Sequence, residues 1–237
     1  MAESKVKEAK QTYKQTTEAV EDAAINMQSK GEQLYENNKQ TINGVLVAVV
    51  VIIGGYFAYN HFVKKPKIAE ANEISWKAQG MFEKDSFAIA LNGGNGVIGF
   101  DEIASDFSGT PVGNLAHYYA GICALHLGKF QDAIDYLEDY STDDPNLKSI
   151  SIGAIGDAYS ELKEFDNAIN HYKEAADVNN NFTAPIYLMK AGQLLEINTD
   201  YSAANDIYKS IKSKYGKSEE GRMIDKFIAR TEALATK

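Results

Sequence analysis

The chain is predicted to be all-α and built in three parts: a polar helical arm, a single transmembrane helix, and a solenoid of helix pairs. Three observations predict it. Residues 42–63, INGVLVAVVVIIGGYFAYNHFV, form an apolar run without one Asp, Glu, Lys or Arg. A proline-free segment of strong helical composition precedes the run. After it, one pattern of glycine, aromatic and alanine recurs in three copies at spacings of 35 and 36 residues, as stacked helical hairpins require.

The arm covers residues 1–41. Val6, Tyr13, Val20, Met27 and Leu34 recur every seven residues, and Ala9, Thr16 and Ala23 stand three further on. This is a heptad seam, interrupted at Lys30 and Gly31. It suits packing on a partner, contact with a membrane surface, or a free amphipathic helix.

The 22 residues of the apolar run make a helix of roughly 33 Å, enough for a hydrocarbon core of about 30 Å. Forty-one residues precede it and no small-residue cleavage site follows, so it reads as an anchor and not a signal peptide. Gly44, Ala48, Val51, Gly55 and Ala58, spaced 4, 3, 4 and 3, share one helix face where another transmembrane helix can approach closely. Tyr56, Tyr59, His61 and Phe62 cluster at the far end, as interfacial residues do. Lys64, Lys65 and Lys67 follow, against Lys30 and Lys39 before; this local charge favours a cytoplasmic location for what comes after.

Residues 64–237 form the repeat domain. Ile68–Asn92 is expected as a helix with Ile74, Ala78, Met81 and Phe82 on its apolar side. The segment Asn92–Gly96 is a glycine-rich loop without the Lys-Ser/Thr ending of a phosphate-binding loop. A helix follows over Phe100–Phe107. The clear repeats span about residues 114–212. Gly121, Gly156 and Gly192 align; Phe130, Phe165 and Tyr201 stand nine residues on, Ala133, Ala168 and Ala204 twelve on, and Leu137, Tyr172 and Tyr208 sixteen on. The glycine lets the first helix of a pair approach the second, and the alanine marks where two helices touch. The residue sixteen on is expected to fill the groove to the next pair. Glu219–Leu234 is expected as one capping helix with Met223, Phe227 and Leu234 inward.

Charge and chemistry exclude several classes. From Ile68 onward there are fifteen basic and twenty-six acidic residues, a net of −11, so phosphate contacts to nucleic acid are not expected. Cys123, the sole cysteine, lies in an apolar helical stretch and reads as a core residue. No histidine pairs with a carboxylate or cysteine at ligand spacing, and the acid pairs Asp143-Asp144 and Glu219-Glu220 fall where acids cap helices. No catalytic residue, metal site, cofactor or small-molecule substrate is expected; the chain does not read as an enzyme.

The segments AGICALHLGKFQDAIDYL, IGDAYSELKEFDNAINHY and AGQLLEINTDYSAANDIY, with Pro145 before the second pair, resemble the tetratricopeptide repeat. His117, Ile152 and Leu188 stand where that repeat usually has tryptophan. The resemblance implies a concave groove lined by the first helix of each pair. Its positions here are Tyr118, Ile122, Leu125 and His126, then Gly153, Asp157, Ser160 and Glu161, then Met189, Gln193 and Glu196. The set is apolar at one end and acidic at the other, and lacks the basic clamp for a peptide carboxylate. It suits an extended segment with apolar and basic side chains.

The whole layout is similar to the YfgM family of bacterial inner-membrane proteins: charged arm, one membrane helix, long helix, loop, acidic repeats. That resemblance implies an accessory subunit of the Sec translocon. Its arm would be cytoplasmic and its repeats periplasmic, with translocon subunits, a periplasmic chaperone and emerging polypeptides as partners. The arm here is longer than that family suggests, and the implied topology opposes the one local lysines favour. A cell-envelope scaffold for division, wall or outer-membrane assembly is the alternative, because fold does not fix function. An organelle-membrane receptor with cytosolic repeats is a third reading, carried by the lysine asymmetry.

Overall fold

The computed structural model describes residues 2–178 and 181–236; side chains at 2–19, 22, 32 and 34 lie outside the described residues. Among the described residues every regular element is helical. The chain divides into two compact units, Met1–Val63 and Lys64–Lys237.

In the first unit, α1 runs Ala2–Tyr59, with one non-helical residue at Asn38 (φ −121°, ψ 16°). The interruption falls four residues before the apolar run. A π-helical turn, Asn60–Lys64, takes over the last residues of that run, where continuous α-helix is expected. Of the heptad positions, Val6, Ala9, Tyr13, Thr16 and Leu34 lie outside the described side chains; Val20 and Met27 are exposed. Tyr35–Phe82 contains a window long and apolar enough to cross a membrane, and none of that window is buried. Gly44, Ala48, Val51, Gly55 and Ala58 are all exposed, and a methyl group added at Gly44 or Gly55 meets nothing.

The second unit begins with α2 (Lys65–Phe82) and α3 (Phe87–Asn92). The single helix expected over Ile68–Asn92 is therefore two. The chain turns at residues 83–86, with Asp85 left-handed at φ 56°. Ala71 and Ala78 are buried, and Ile74, Met81 and Phe82 are half-buried against the core. The glycine-rich loop closes as a tight hairpin, with Gly94 and Val97 bonded both ways. Then come α4 (Phe100–Asp106), α5 (Pro111–His126), α6 (Phe130–Glu138), α7 (Pro145–Glu161), α8 (Phe165–Asp177), α9 (Ala184–Ile197) and α10 (Tyr201–Tyr215).

The pairs α5/α6, α7/α8 and α9/α10 are the three copies. Each turn between paired helices uses one left-handed residue at the same place: Gly128 (φ 73°), Lys163 (φ 63°) and Thr199 (φ 62°). Each carries the same backbone bond back to the first helix: Lys129 N–H to Ala124 O, Glu164 N–H to Tyr159 O and Asp200 N–H to Leu195 O, all 2.9 Å. Ala133, Ala168 and Ala204 are fully buried. The residue sixteen on covers the glycine of its own pair, and Tyr172 and Tyr208 also meet the next element as expected, at Tyr187 (centroids 6.1 Å apart) and Phe227 (5.3 Å). A Cβ on Gly121, Gly156 or Gly192 would lie 2.5 Å from Leu137, 2.7 Å from Tyr172 or 2.4 Å from Tyr208. The absent side chain is therefore what lets each bulky residue lie flat between the two helices of its pair.

Helix α4 repeats the second-helix pattern, with Phe100, Ile103 and Phe107 buried where Phe130, Ala133 and Leu137 stand in α6. It packs on α5 as a fourth second helix whose partner position is shared by α2 and α3. Polar stitches join neighbouring helices. The Ser149 hydroxyl donates to Ala175 O (2.8 Å) and meets Thr183 Oγ1 (2.6 Å), linking α7, α8 and the start of α9.

The expected capping helix is also two: α11 (Glu219–Met223) and α12 (Asp225–Ala235). Ile224 between them is fully buried, whereas Met223, expected inward, is 43% exposed. The break lets the C-terminal helix turn its Ile224, Phe227 and Ile228 side onto α10. Asn205 of α10 donates to Thr231 Oγ1 (2.8 Å) and to Ile228 O (3.1 Å), fixing α12 there.

Candidate functional site

The first helices α5, α7 and α9 present the residues expected to line the groove. The structure brings five of them together: Leu125, His126, Asp157, Ser160 and Glu161 line one open cleft of about 490 Å³. Leu125 and His126 come from the last turn of α5, and the other three from the last two turns of α7. Gly128, Phe130 and Tyr172 complete the wall. Phe130 and Tyr172 belong to the repeat signature, so the signal that finds them was present in the sequence as packing positions. His126 is exposed, but its ring is held by stacking on Phe87 of α3, with centroids 4.2 Å apart and planes at 2°.

The other expected groove residues lie elsewhere. Tyr118 packs on Tyr119 and Tyr140, with centroids 5.6 and 5.2 Å away, and burial raises its pKa, followed by those two phenols. Ile122 is half-buried against the core. Gly153 is covered by the Tyr187 ring. Met189, expected in the groove, is buried in the core of the C-terminal pairs. Gln193 is exposed. Glu196 is only 13% exposed at its side chain.

The acids are not free either. Asp157 accepts from the Tyr172 hydroxyl (2.6 Å) and from Lys190 of the next pair (2.6 and 2.9 Å). Lys190 Nζ also stands 5.5 Å from the Tyr172 ring centroid and 5.6 Å from that of Tyr187. One repeat on, Glu196 accepts from the Tyr208 hydroxyl (2.6 Å) and from Arg230 of α12 (2.7 Å). A tyrosine of the second helix thus holds a carboxylate of the first, and a cation from the following element closes the bridge. Burial, then the hydrogen bond to the carboxylate, raises the pKa of both Tyr172 and Tyr208. In the first pair the tyrosine is shifted by one position: Tyr136 donates to Asp101 of α4 (2.6 Å). Sequence spacing gave no hint of Lys190 and Arg230 as partners, because each lies 33 or 34 residues from its acid. The acidic end of the groove is therefore neutralised from within, and Glu161 remains as its exposed carboxylate.

Cys123 is wholly buried, and burial pushes its thiol up to about 12. Among the described residues no group of three or more His, Cys, Asp or Glu could hold a metal ion.

Three in-register hairpins, a preceding degenerate one and a cleft formed by first helices define an α-solenoid of the kind that offers a surface to other proteins. Residues 100–147 match the tetratricopeptide repeat family, a family of protein-interaction scaffolds, which supports a tetratricopeptide-repeat protein. The matched stretch covers α4, α5 and α6. No curated protein matches the chain.

Proposed function

We propose that this chain is a membrane-anchored interaction module that acts as an accessory subunit of the Sec translocon. In this reading residues 42–63 are the anchor, the arm is cytoplasmic, and the repeat domain is periplasmic, where it holds emerging polypeptides or a periplasmic chaperone. The observation that carries the reading is the cleft formed by Leu125, His126, Phe130, Ser160 and Glu161. It is an open trough with an apolar wall and one unneutralised acid, which fits an extended segment that alternates apolar and basic side chains. The exposed apolar surface of Val45, Val50, Ile52 and Phe57 supports the anchor, since such a surface is costly in water. The exposed face of Gly44, Ala48, Val51, Gly55 and Ala58 is where a translocon helix would pack.

Purification of the tagged full chain in mild detergent tests this. Translocon subunits and a periplasmic chaperone should co-elute, and exchange of residues 42–63 for an unrelated membrane helix should lose the translocon subunits. Recovery of wall or outer-membrane assembly proteins without translocon would replace this reading with that of an envelope scaffold.

A further inference from the structure

A second hollow lies away from the groove. A pocket of about 380 Å³ opens between the turn that enters α5 and the segment that joins α6 to α7. Its frame is fixed. The Asn114 amide donates to Ser141 O (2.8 Å), and Asn114 Oδ1 accepts from the Ser141 N–H (3.0 Å), tying that segment to α5.

Its remaining polar groups are unmatched. Lys64 and Asp139 line the same pocket, yet among the described residues neither side chain has an ion-pair or hydrogen-bond partner. His117, also on the lining, has its Nδ1 shielded from solvent without a hydrogen bond, a costly state for a ring nitrogen. A simple anion here is drawn by Lys64 and repelled by Asp139; a simple cation meets the reverse. A compact zwitterion satisfies both.

Position narrows the choice. Lys64 is the first residue after the apolar run. If that run spans a bilayer, Lys64 stands among the lipid headgroups, where lysines meet phosphate. We propose that this pocket binds the phosphoethanolamine headgroup of a membrane lipid. Its phosphate meets the Lys64 ammonium and the Ser108 hydroxyl. Its primary ammonium donates to the Asp139 carboxylate. The inference rests on the anchor reading of residues 42–63. A choline headgroup carries the same charges but has no N–H to donate, and a glycerol headgroup has no cation.

These differences set the test. The full chain in detergent is incubated with an equimolar mixture of phosphatidylethanolamine, phosphatidylcholine and phosphatidylglycerol, and the lipid retained after gel filtration is measured by mass spectrometry. The ethanolamine lipid should be enriched about five- to tenfold over the choline lipid, the usual size of one partly exposed charge-assisted hydrogen bond. Asp139→Asn should abolish the enrichment, and Lys64→Ala should lower the retention of the ethanolamine and choline lipids alike, both at unchanged helix content. Equal retention of the three lipids, an enrichment unchanged by Asp139→Asn, or a retention unchanged by Lys64→Ala overturns the proposal. Displacement of the lipid by soluble phosphoethanolamine at matching concentration overturns the lipid as source and assigns the pocket to the free compound. Flotation of the full chain with vesicles separates the two readings. Absence from all vesicles overturns the anchor and this inference together, whereas flotation without lipid preference overturns this inference alone.

Discussion

Replacing Gly153 by alanine tests the seating of the Tyr187 ring of α9 against α7. A Cβ at this position would lie 2.0 Å from Tyr187 Cε1 and 2.1 Å from Cζ. The ring cannot simply retreat. It is buried, stacked on Tyr172 with centroids 6.1 Å apart, and flanked by Lys190 Nζ. Overpacking of this kind costs about 3 kcal/mol, at the upper end of the usual range. Alanine returns about 1 kcal/mol of helix propensity, leaving a net loss of about 2 kcal/mol. For a domain of this size that is a fall in Tm of roughly 4–8 °C. Gly80→Ala, in α2, makes the same chemical change where an added Cβ meets nothing, and should raise Tm by roughly 2–4 °C. Differential scanning calorimetry of the full chain in mild detergent reads both. On a Tyr187→Ala background, Gly153→Ala should become stabilising, a coupling of about 3 kcal/mol. If Gly153→Ala raises Tm as Gly80→Ala does, the ring is not seated as described and the reasoning fails.

Asp157→Asn should cost about 1 kcal/mol in a denaturant titration, the scale of a pair that is a third exposed, and Asp157→Asn combined with Lys190→Met should be less destabilised than the sum of the two; strict additivity would show that the bridge contributes nothing. Gly128→Ala should lose about 1 kcal/mol from backbone strain alone, because no atom crowds its Cβ, while Thr199→Gly should gain about 0.5–1 kcal/mol by relieving a β-branched residue at φ 62°. Equal and opposite-to-expected Tm shifts in the two would argue against the shared turn geometry. Alkaline pH should destabilise the domain. The pKa values of Tyr136, Tyr172, Tyr187 and Tyr208 are raised in the fold, so the folded chain keeps protons that the unfolded chain releases. Their contribution is complete below about pH 10 and is lost as pH rises beyond it. Absorbance at 295 nm should show these phenols ionising only as the domain unfolds; full titration of every tyrosine in the native state would contradict their burial.

The helix pairs were legible because their determinants are local. Gly121, Ala133 and Leu137 act within one hairpin, so their spacing repeats wherever the hairpin does. The fourth second helix was harder to see, because α3 and the Gly94–Val97 hairpin stand where a full first helix would carry the matching glycine. Of the expected groove positions, Leu125, His126, Ser160 and Glu161 sit at helix ends and line one cleft, whereas Met189 lies mid-helix in the core of the C-terminal pairs. The break at Ile224 was missed because Met223 and Ile224 are both apolar; only the angle at which α12 meets α10 decides which is buried. The bridges through Lys190 and Arg230 were out of reach for the same reason that they matter, since they join one repeat to the next.

Cys123 gives the chain a built-in reporter. Its sulfur is shut away inside α5, and the raised pKa denies reagents the thiolate they need. Alkylation of the untouched protein can therefore proceed only when the α5/α6 hairpin opens, and its rate measures how often that region breathes. A second cysteine placed on any exposed position would react long before the native one. The arm and the repeat domain could thus each be tagged without first removing the natural residue.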